Sequence, residues 1–406
     1  MGQILSQPVT DKSSESGENQ YYAFGVSSMQ GWRVSMEDAH AAVLDMGPEG
    51  VAYFGVYDGH GGEKTAIFAG EHTHELVKKS ENFATDYKKA MTDGFLGTDR
   101  AIIEKVGSAI DASGCAATAC LITPKSVICA NAGDSRSVLG RLGTAKSLSF
   151  DHKPDNEGER SRIMNAGGYV EMGRVNGNLA LSRALGDFTF KRSAELPPEE
   201  QVVTACPDII EHDLTEDDEF VLLACDGIWD CMNSQEVIEF VRRGIADKVP
   251  LPEICELLME ECLAPESDNS GIGCDNMTVC IIALLRNQSL EEWYQKVADR
   301  VAAGKGPVMT RSTAAVRAHI ESRASAQPSQ YSQPSEELPS NTHAMLQQLF
   351  AGSEGARLNP EATSLLSRLG IRFPGADDQA DLQDMEDSDD NMEHEHSDTE
   401  PSAQSE

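Results

Sequence analysis

The chain has no apolar run approaching the ~20 residues a membrane-spanning helix requires. Positive charge is scarce: 33 Lys and Arg stand against 67 Asp and Glu in 406 residues, a formal net charge of −34. Nucleic-acid binding is disfavoured on that ground, because phosphate contacts need clustered cations. From Ala376 to Glu406 there is no Lys or Arg at all, only 13 acidic residues, and the rest of the chain is acidic without them. None of the 10 cysteines forms a C-x-x-C pair. Cys129, Cys225 and Cys280 lie in apolar runs, where a thiol acts as a small core residue. The first 20 residues are polar and carry no secretory leader, so a reducing cytoplasmic or nuclear compartment is expected. A Walker-type phosphate loop is missing, as is the D-x-[DN]-x-[DN]-G loop of a calcium-binding module, and no cysteine sits in a phosphate loop of the C-x5-R type.

What is present is a length sufficient for one large or two ordinary domains and an organisation that changes along the chain. Residues 1–20 read as a flexible lead-in. It opens Met1-Gly2-Gln3-Ile4-Leu5-Ser6, an N-myristoylation pattern that would give only weak, transient membrane association. Residues 21–300 alternate strand-like and helix-like segments. The spacing predicts helices over 63–80, 86–106, 157–166, 251–263 and 289–303, and a hairpin of 119–122 with 126–130 about Thr123-Pro124-Lys125. Asn233 followed by Glu236 predicts a capping box opening a further helix to about Ile245. Residues 301–375 read as a low-complexity linker with short amphipathic stretches, and 376–406 as an acidic disordered tail. Strands grouped in hairpins, with helices in pairs between them, predict an α+β fold with antiparallel sheets.

Several acids stand at the ends of apolar runs. Asp58 follows Ala52–Tyr57 and opens D-G-H-G-G; Asp226 follows Phe220–Cys225 and opens D-G-I-W-D; Asp275 precedes Asn276–Ile282. A carboxylate ending a buried strand is held rigidly and half desolvated, which is costly unless something neutralises it. Several of them suggest an oxygen-ligand site for a hard cation. Gly59 could also offer its backbone carbonyl, and His60 could donate a proton. Glu37 and Asp38 are adjacent, with Arg33 placed to hold a phosphoryl oxygen. Asp230 lies one helical turn after Asp226, and Asp134 follows another apolar strand. Taken singly, each is as readily a glycine turn, a helix cap or a surface ion pair.

Taken together, the segments resemble the metal-dependent type 2C (PPM-type) protein serine/threonine phosphatase family. The residues that carry the likeness are 27–40 (SSMQGWRVSMEDAH), 54–62 (FGVYDGHGG), 132–136 (AGDSR), 151–154 (DHKP), 174–187 (RVNGNLALSRALGD), 223–230 (LACDGIWD) and 275–279 (DNMTV). The resemblance implies a central β-sandwich of two antiparallel sheets flanked by helical layers, with a dinuclear metal cleft at one end. Its two ions are Mg2+ or Mn2+, with a weaker third. It implies that Asp58 bridges the metals, that Asp226 and Asp275 complete one shell, and that Glu37 and the Gly59 carbonyl serve the other. Asp38 would hold metal-bound waters, Arg33 the phosphate, and His60 would protonate the leaving group. Asp134 and Asp230 match the third site, and residues 155–187 a variable flap beside the cleft. Ala116 departs from the pattern, standing where many members carry Thr.

The expected activity is hydrolysis of phosphoserine and phosphothreonine in proteins by in-line attack of a metal-bridging hydroxide. The expected partners are phosphorylated proteins, kinases among them, and the expected state is a monomer. The alternative is a catalytically weak scaffold of the same fold that binds phosphoproteins, a reading that a missing metal ligand would have favoured.

Overall fold

The computed structural model describes residues 4–48, 50–106, 113–267, 271–307, 314, 316–318 and 322. The chain runs β1 (Ile4–Glu18), β2 (Tyr22–Arg33), β3 (Ala39–Val43), β4 (Ala52–His60), α1 (Lys64–Lys79), α2 (Tyr87–Val106), β5 (Gly114–Ile122), β6 (Ser126–Ala132), β7 (Arg136–Arg141) and β8 (Thr144–Ser147). It continues through α3 (Glu157–Asn165), β9 (Val170–Glu171), β10 (Arg174–Val175), β11 (Leu185–Gly186), β12 (Asp208–Asp213), β13 (Asp218–Ala224) and α4 (Asp226–Trp229). It ends with α5 (Ser234–Ala246), α6 (Leu251–Cys262), β14 (Met277–Leu284) and α7 (Leu290–Ala302).

Two large antiparallel sheets form, beside a small β9–β10 ribbon. One has the order β1-β2-β14-β13-β7-β8; the other runs β12-β6-β5-β4-β3, with β11 added beside β5. The central strands are apolar almost throughout, yet each still divides its side chains by alternation, because successive Cβ atoms point to opposite faces. On β13, Phe220, Leu222 and Ala224 meet the helices α5 and α6, while Val221 and Leu223 enter the space between the sheets. On β4, Tyr53 and Tyr57 pack with α1 and α2, while Ala52, Phe54 and Val56 face the other sheet. The result is helices, sheet, sheet, helices: an α+β sandwich whose central strands are covered on both faces.

Local signals in the sequence act as read. Asn233 caps α5 with both halves of its capping box, and Ser289 caps α7 in the same way. The β5–β6 hairpin pairs Ile122 with Val127.

Two boundaries differ from expectation. The flexible lead-in over residues 1–20 is instead a strand, β1, paired with β2 from Ile4↔Arg33 to Glu18↔Ala23. Its polar composition suggested a tail, but an edge strand is held by backbone hydrogen bonds and needs little apolar surface. Here Lys12 pairs with Glu260 and Ser14 Oγ donates to Glu256 (2.6 Å), tethering the strand to α6. The described residues past 301, expected as linker, are instead held against the domain. The Lys305 carbonyl accepts from Arg242 Nη1 (2.8 Å), Val316 is buried, and Arg317 pairs with Glu253. The amphipathic stretches expected near 343–369, and the acidic tail, lie outside the described residues.

Candidate metal and phosphate site

The strand alternation places the central acid. Asp58 continues the face of Ala52, Phe54 and Val56 at the end of β4, so its carboxylate lies where the space between the sheets opens. Asp226 opens α4 directly after β13, and its backbone N–H lies 3.4 Å from Asp58 Oδ2. Thr278, on the inter-sheet face of β14, donates its hydroxyl to Asp38 Oδ2 (2.7 Å). Asp275 precedes that same strand, Asp134 follows β6, and Asp230 ends the single turn of α4.

Burial pushes the Asp58 carboxyl well above its ordinary range, and the charges of Asp226, Asp38, Asp134 and Asp275 push it further. Asp226 is raised in the same way, by burial and then by Asp134, Asp275, Asp230 and Asp38. Asp38 is pushed up to about 6 by burial, against the hydrogen bonds of Thr278 and Cys225. Asp275 is raised by burial with Arg33 opposing, and Asp230 by burial with Lys153 opposing. Six carboxylates from five segments thus feel one another. Two cations are paired with them among the described residues: Arg33 Nη2 bonds Asp275 Oδ2 (2.5 Å), and Lys153 bonds Asp134. That leaves like charges crowded in a desolvated place.

The donor set fits hard divalent cations. Asp38 Oδ1 is buried with no hydrogen-bond partner, which is a cost unless something positive meets it. Asp38, Asp58 and Cys225 each offer an atom within 4.8 Å of the others. Of these, the Cys225 thiol is a poor ligand. Burial pushes its pKa well up, and its Sγ accepts from the Thr278 N–H (3.1 Å). The oxygens, not the sulfur, are the ligands a Mg2+ or Mn2+ ion would take.

The remaining residues border this cluster. Glu37 accepts from Ser35 Oγ (2.8 Å) and the Gly62 N–H (3.1 Å), while its own N–H donates to Asn276 Oδ1 (2.9 Å). A Cβ on Gly59 would stand 2.2 Å from the Glu37 carbonyl, so only glycine lets these two segments touch. Arg33 keeps more than a third of its side chain exposed beyond its bond to Asp275. His60 Nε2 lies 2.7 Å from Asp187 Oδ2. Burial pulls the imidazole pKa down, but the Asp187 bond and the charges of Asp187, Asp134 and Glu37 outweigh it, and the net shift is upward.

Sequence reasoning did not single out Asn276, Thr278, Lys153 or Asp187. Asn276 Nδ2 donates to the Gln30 and Ser35 carbonyls (2.8 and 3.0 Å), pinning the Arg33–Asp38 turn against the Asp275 loop. Segment 151–154 clamps segment 132–136: Arg136 forks onto Asp151 (2.7 and 2.9 Å), the Gly133 N–H donates to His152 Nδ1 (3.2 Å), and Lys153 holds Asp134. The signal was the recurrence of polar residues in motifs whose acids alone had been given roles. The spacing from Cys280 to Arg286 formally satisfies C-x5-R, but it runs along buried β14 and forms no loop.

Comparison with known proteins adds to this geometry. A family profile described as Protein phosphatase 2C matches residues 22–271. The chain is 56% identical over 317 residues to Protein phosphatase 2C homolog 2 of Hypocrea jecorina, covering 76% of this chain and 72% of that one. It is 52% identical over 324 residues to Protein phosphatase 2C homolog 2 of Schizosaccharomyces pombe, covering 78% and 88%. Among solved structures, a phosphatase from Toxoplasma gondii aligns with a TM-score of 0.59 at 28% identity, over 68% of this chain and 96% of that chain.

Proposed function

The chain belongs to the protein phosphatase 2C family, and on that premise we propose that it removes phosphate from phosphoserine and phosphothreonine side chains of proteins at a centre for two divalent cations, Mg2+ or Mn2+. Asp58, Asp226 and Asp275 would hold one ion, and Asp58, Glu37 and the Gly59 carbonyl the other; Asp134, Asp226 and Asp230 could take a weaker third. When bound, such ions act as Lewis acids that raise the acidity of water and offset charge on a phosphoryl group.

The reaction consumes water and a phosphate monoester and yields inorganic phosphate and an alcohol. The exposed part of the Arg33 guanidinium can hold phosphoryl oxygens and stabilise their charge as the transition state forms. Asp38, with one oxygen tied to Thr278, can turn the other toward an attacking water and accept a hydrogen bond from it. Serine and threonine alkoxides are poor leaving groups, so a proton must reach the departing oxygen. His60 is the group near the cluster able to give one.

The observation that carries this reading is the surplus of clustered, largely desolvated carboxylates over cations, with Asp38 Oδ1 buried and left unpartnered. The test is release of phosphate from a phosphothreonine peptide with and without Mn2+. Metal-stimulated turnover that collapses in Asp58→Asn supports the reading. Metal-independent turnover, or turnover undiminished by that change, rejects it, and peptide binding without turnover favours the scaffold.

A further inference from the structure

We propose that Asp187 is a positioning residue for proton delivery: it fixes the tautomer and the ring orientation of His60, so that the Nδ1 edge of the imidazole serves the departing alkoxide. The inference rests on the phosphatase reading above.

The contact is built rather than incidental. Asp187 is 5% exposed, and its Oδ2 lies 2.7 Å from His60 Nε2. A carboxylate can only accept there, so Nε2 carries a hydrogen and the proton open to delivery is the one on Nδ1. The two residues come together because nothing stands between them. Gly114 sits opposite His60 across the β4–β5 ladder, and a Cβ there would lie 2.2 Å from Asp187 Oδ2 and 2.5 Å from His60 Nε2.

The backbone is bent to bring the carboxylate in. Asp187 has φ +48°, a left-handed conformation that a side-chain-bearing residue adopts at a cost, and it follows Gly186 at φ +75°. The strain is held in place from behind. The Asp187 N–H donates to the Ser113 carbonyl (3.2 Å), the Gly186 N–H to Asp99 Oδ1 (2.7 Å), and Lys191 bridges Asp99 Oδ2 (2.7 Å) and the Ala184 carbonyl (2.8 Å). Asp99 belongs to α2, so a helix outside the sheet braces a turn whose side chain steadies the imidazole. A carboxylate behind a working histidine acts through orientation, and its loss misplaces the proton without touching substrate.

The experiment compares two esters with wild type, Asp187→Asn, His60→Gln and the double variant, all loaded with Mn2+. A phosphothreonine peptide needs its leaving oxygen protonated; p-nitrophenyl phosphate releases a stable phenolate that does not. Asp187→Asn should lower kcat on the peptide about 10²-fold, within the range for general acid catalysis, and lower it at least tenfold less on the aryl ester. Joined to His60→Gln, it should add nothing further on the peptide. Gly114→Ala, which keeps the carboxylate but wedges the pair apart, should reproduce the same preference and covers the case in which Asp187→Asn fails to fold. Equal losses on both esters, or additive losses in the double variant, overturn the inference while leaving the phosphatase reading intact. A wild type inactive on both esters with Mn2+ overturns both.

Discussion

Two buried acidic places in this molecule have opposite electrostatics. Around α3, Glu159 is 6% exposed and surrounded by donors: Arg183 through Nε and Nη2 (3.1 and 2.7 Å), Arg162 Nη1 (2.6 Å) and Ser182 Oγ (2.8 Å). Burial alone would raise its pKa, but the Arg183 and Arg162 contacts win and bring it to about 2. At the mouth of the sandwich, Asp58 and Asp226 are raised well above the ordinary range. Both places hold carboxylates, Glu159 buried and Asp58 and Asp226 half-buried; the supply of fixed positive charge differs. Where the chain provides its own cations, the acid is architecture that anchors the segment beside the cleft. Where it withholds them, the missing charge can come from outside, as the divalent ions proposed above would supply it. The fully buried Arg242–Glu219 fork (2.7 and 3.2 Å) at the foot of α5 is a second case of the first kind.

The sharpest way to break this comparison is to neutralise one acid at each place. Asp58→Asn should lower turnover about 10³-fold, several kcal/mol of transition-state stabilisation. The metal-free protein should melt no lower than wild type, because one repelling charge has gone. Glu159→Gln should do the reverse. It removes the anion shared by Arg162 and Arg183, leaving Arg162 with carbonyl partners only, and should cost about 3 kcal/mol in chemical denaturation, with Mn2+ affinity unchanged. Its pH signature follows from the depressed pKa. The Glu159 contribution is complete above the ordinary value of 4.5 and is lost as pH falls toward about 2. The stability gap between wild type and Glu159→Gln should therefore begin to close below about pH 4.5. A gap that widened on acidification would contradict the assignment.

The same contrast explains what was legible before any coordinates. Strand-ending acids such as Asp58 and Asp226 announce themselves, because a charge after six apolar residues is costly and conspicuous. The antiparallel α+β layers follow from the strand and helix patterning and the cap of α5 from Asn233 with Glu236, whereas the sandwich itself was implied by the family resemblance. Asp187 and Lys153 do not stand out in the same way. Asp187 meets His60 across 127 residues, and Lys153 reaches Asp134 from a loop, so no local period marks either. Strand β1 was missed for a different reason: backbone pairing at a sheet edge leaves almost no trace in side-chain composition.

A weaker probe adds the absent charge directly. A divalent ion that binds only the folded form at a hundred times its Kd stabilises by about 2.7 kcal/mol per site. Titrating Mn2+ into metal-free protein should therefore raise the melting temperature of wild type and of Glu159→Gln by similar amounts, and should raise that of Asp58→Asn far less. Equal shifts in all three would place the ions elsewhere.

The smallest expected effect tests the boundary between the two kinds of place. Lys153 is a cation the chain itself lends to the acidic cluster, through Asp134, and its side chain is 45% exposed. Its pKa is raised: burial opposes this, but the charges of Asp134, Asp151 and Asp226 prevail. An ammonium on Asp134 competes with a metal for the same oxygens. If Asp134, Asp226 and Asp230 take the proposed third ion, Lys153 competes with it for Asp134 Oδ2. Lys153→Met should therefore tighten the weakest Mn2+ binding step a few-fold, about 1 kcal/mol or less for so exposed a pair, and slightly lower the melting temperature of the metal-free form. Both signs matter. A lysine that merely propped up the loop would lower the melting temperature and weaken Mn2+ binding together, whereas a lysine standing in for a metal lowers one and strengthens the other. Calorimetric Mn2+ titration of the variant separates the two.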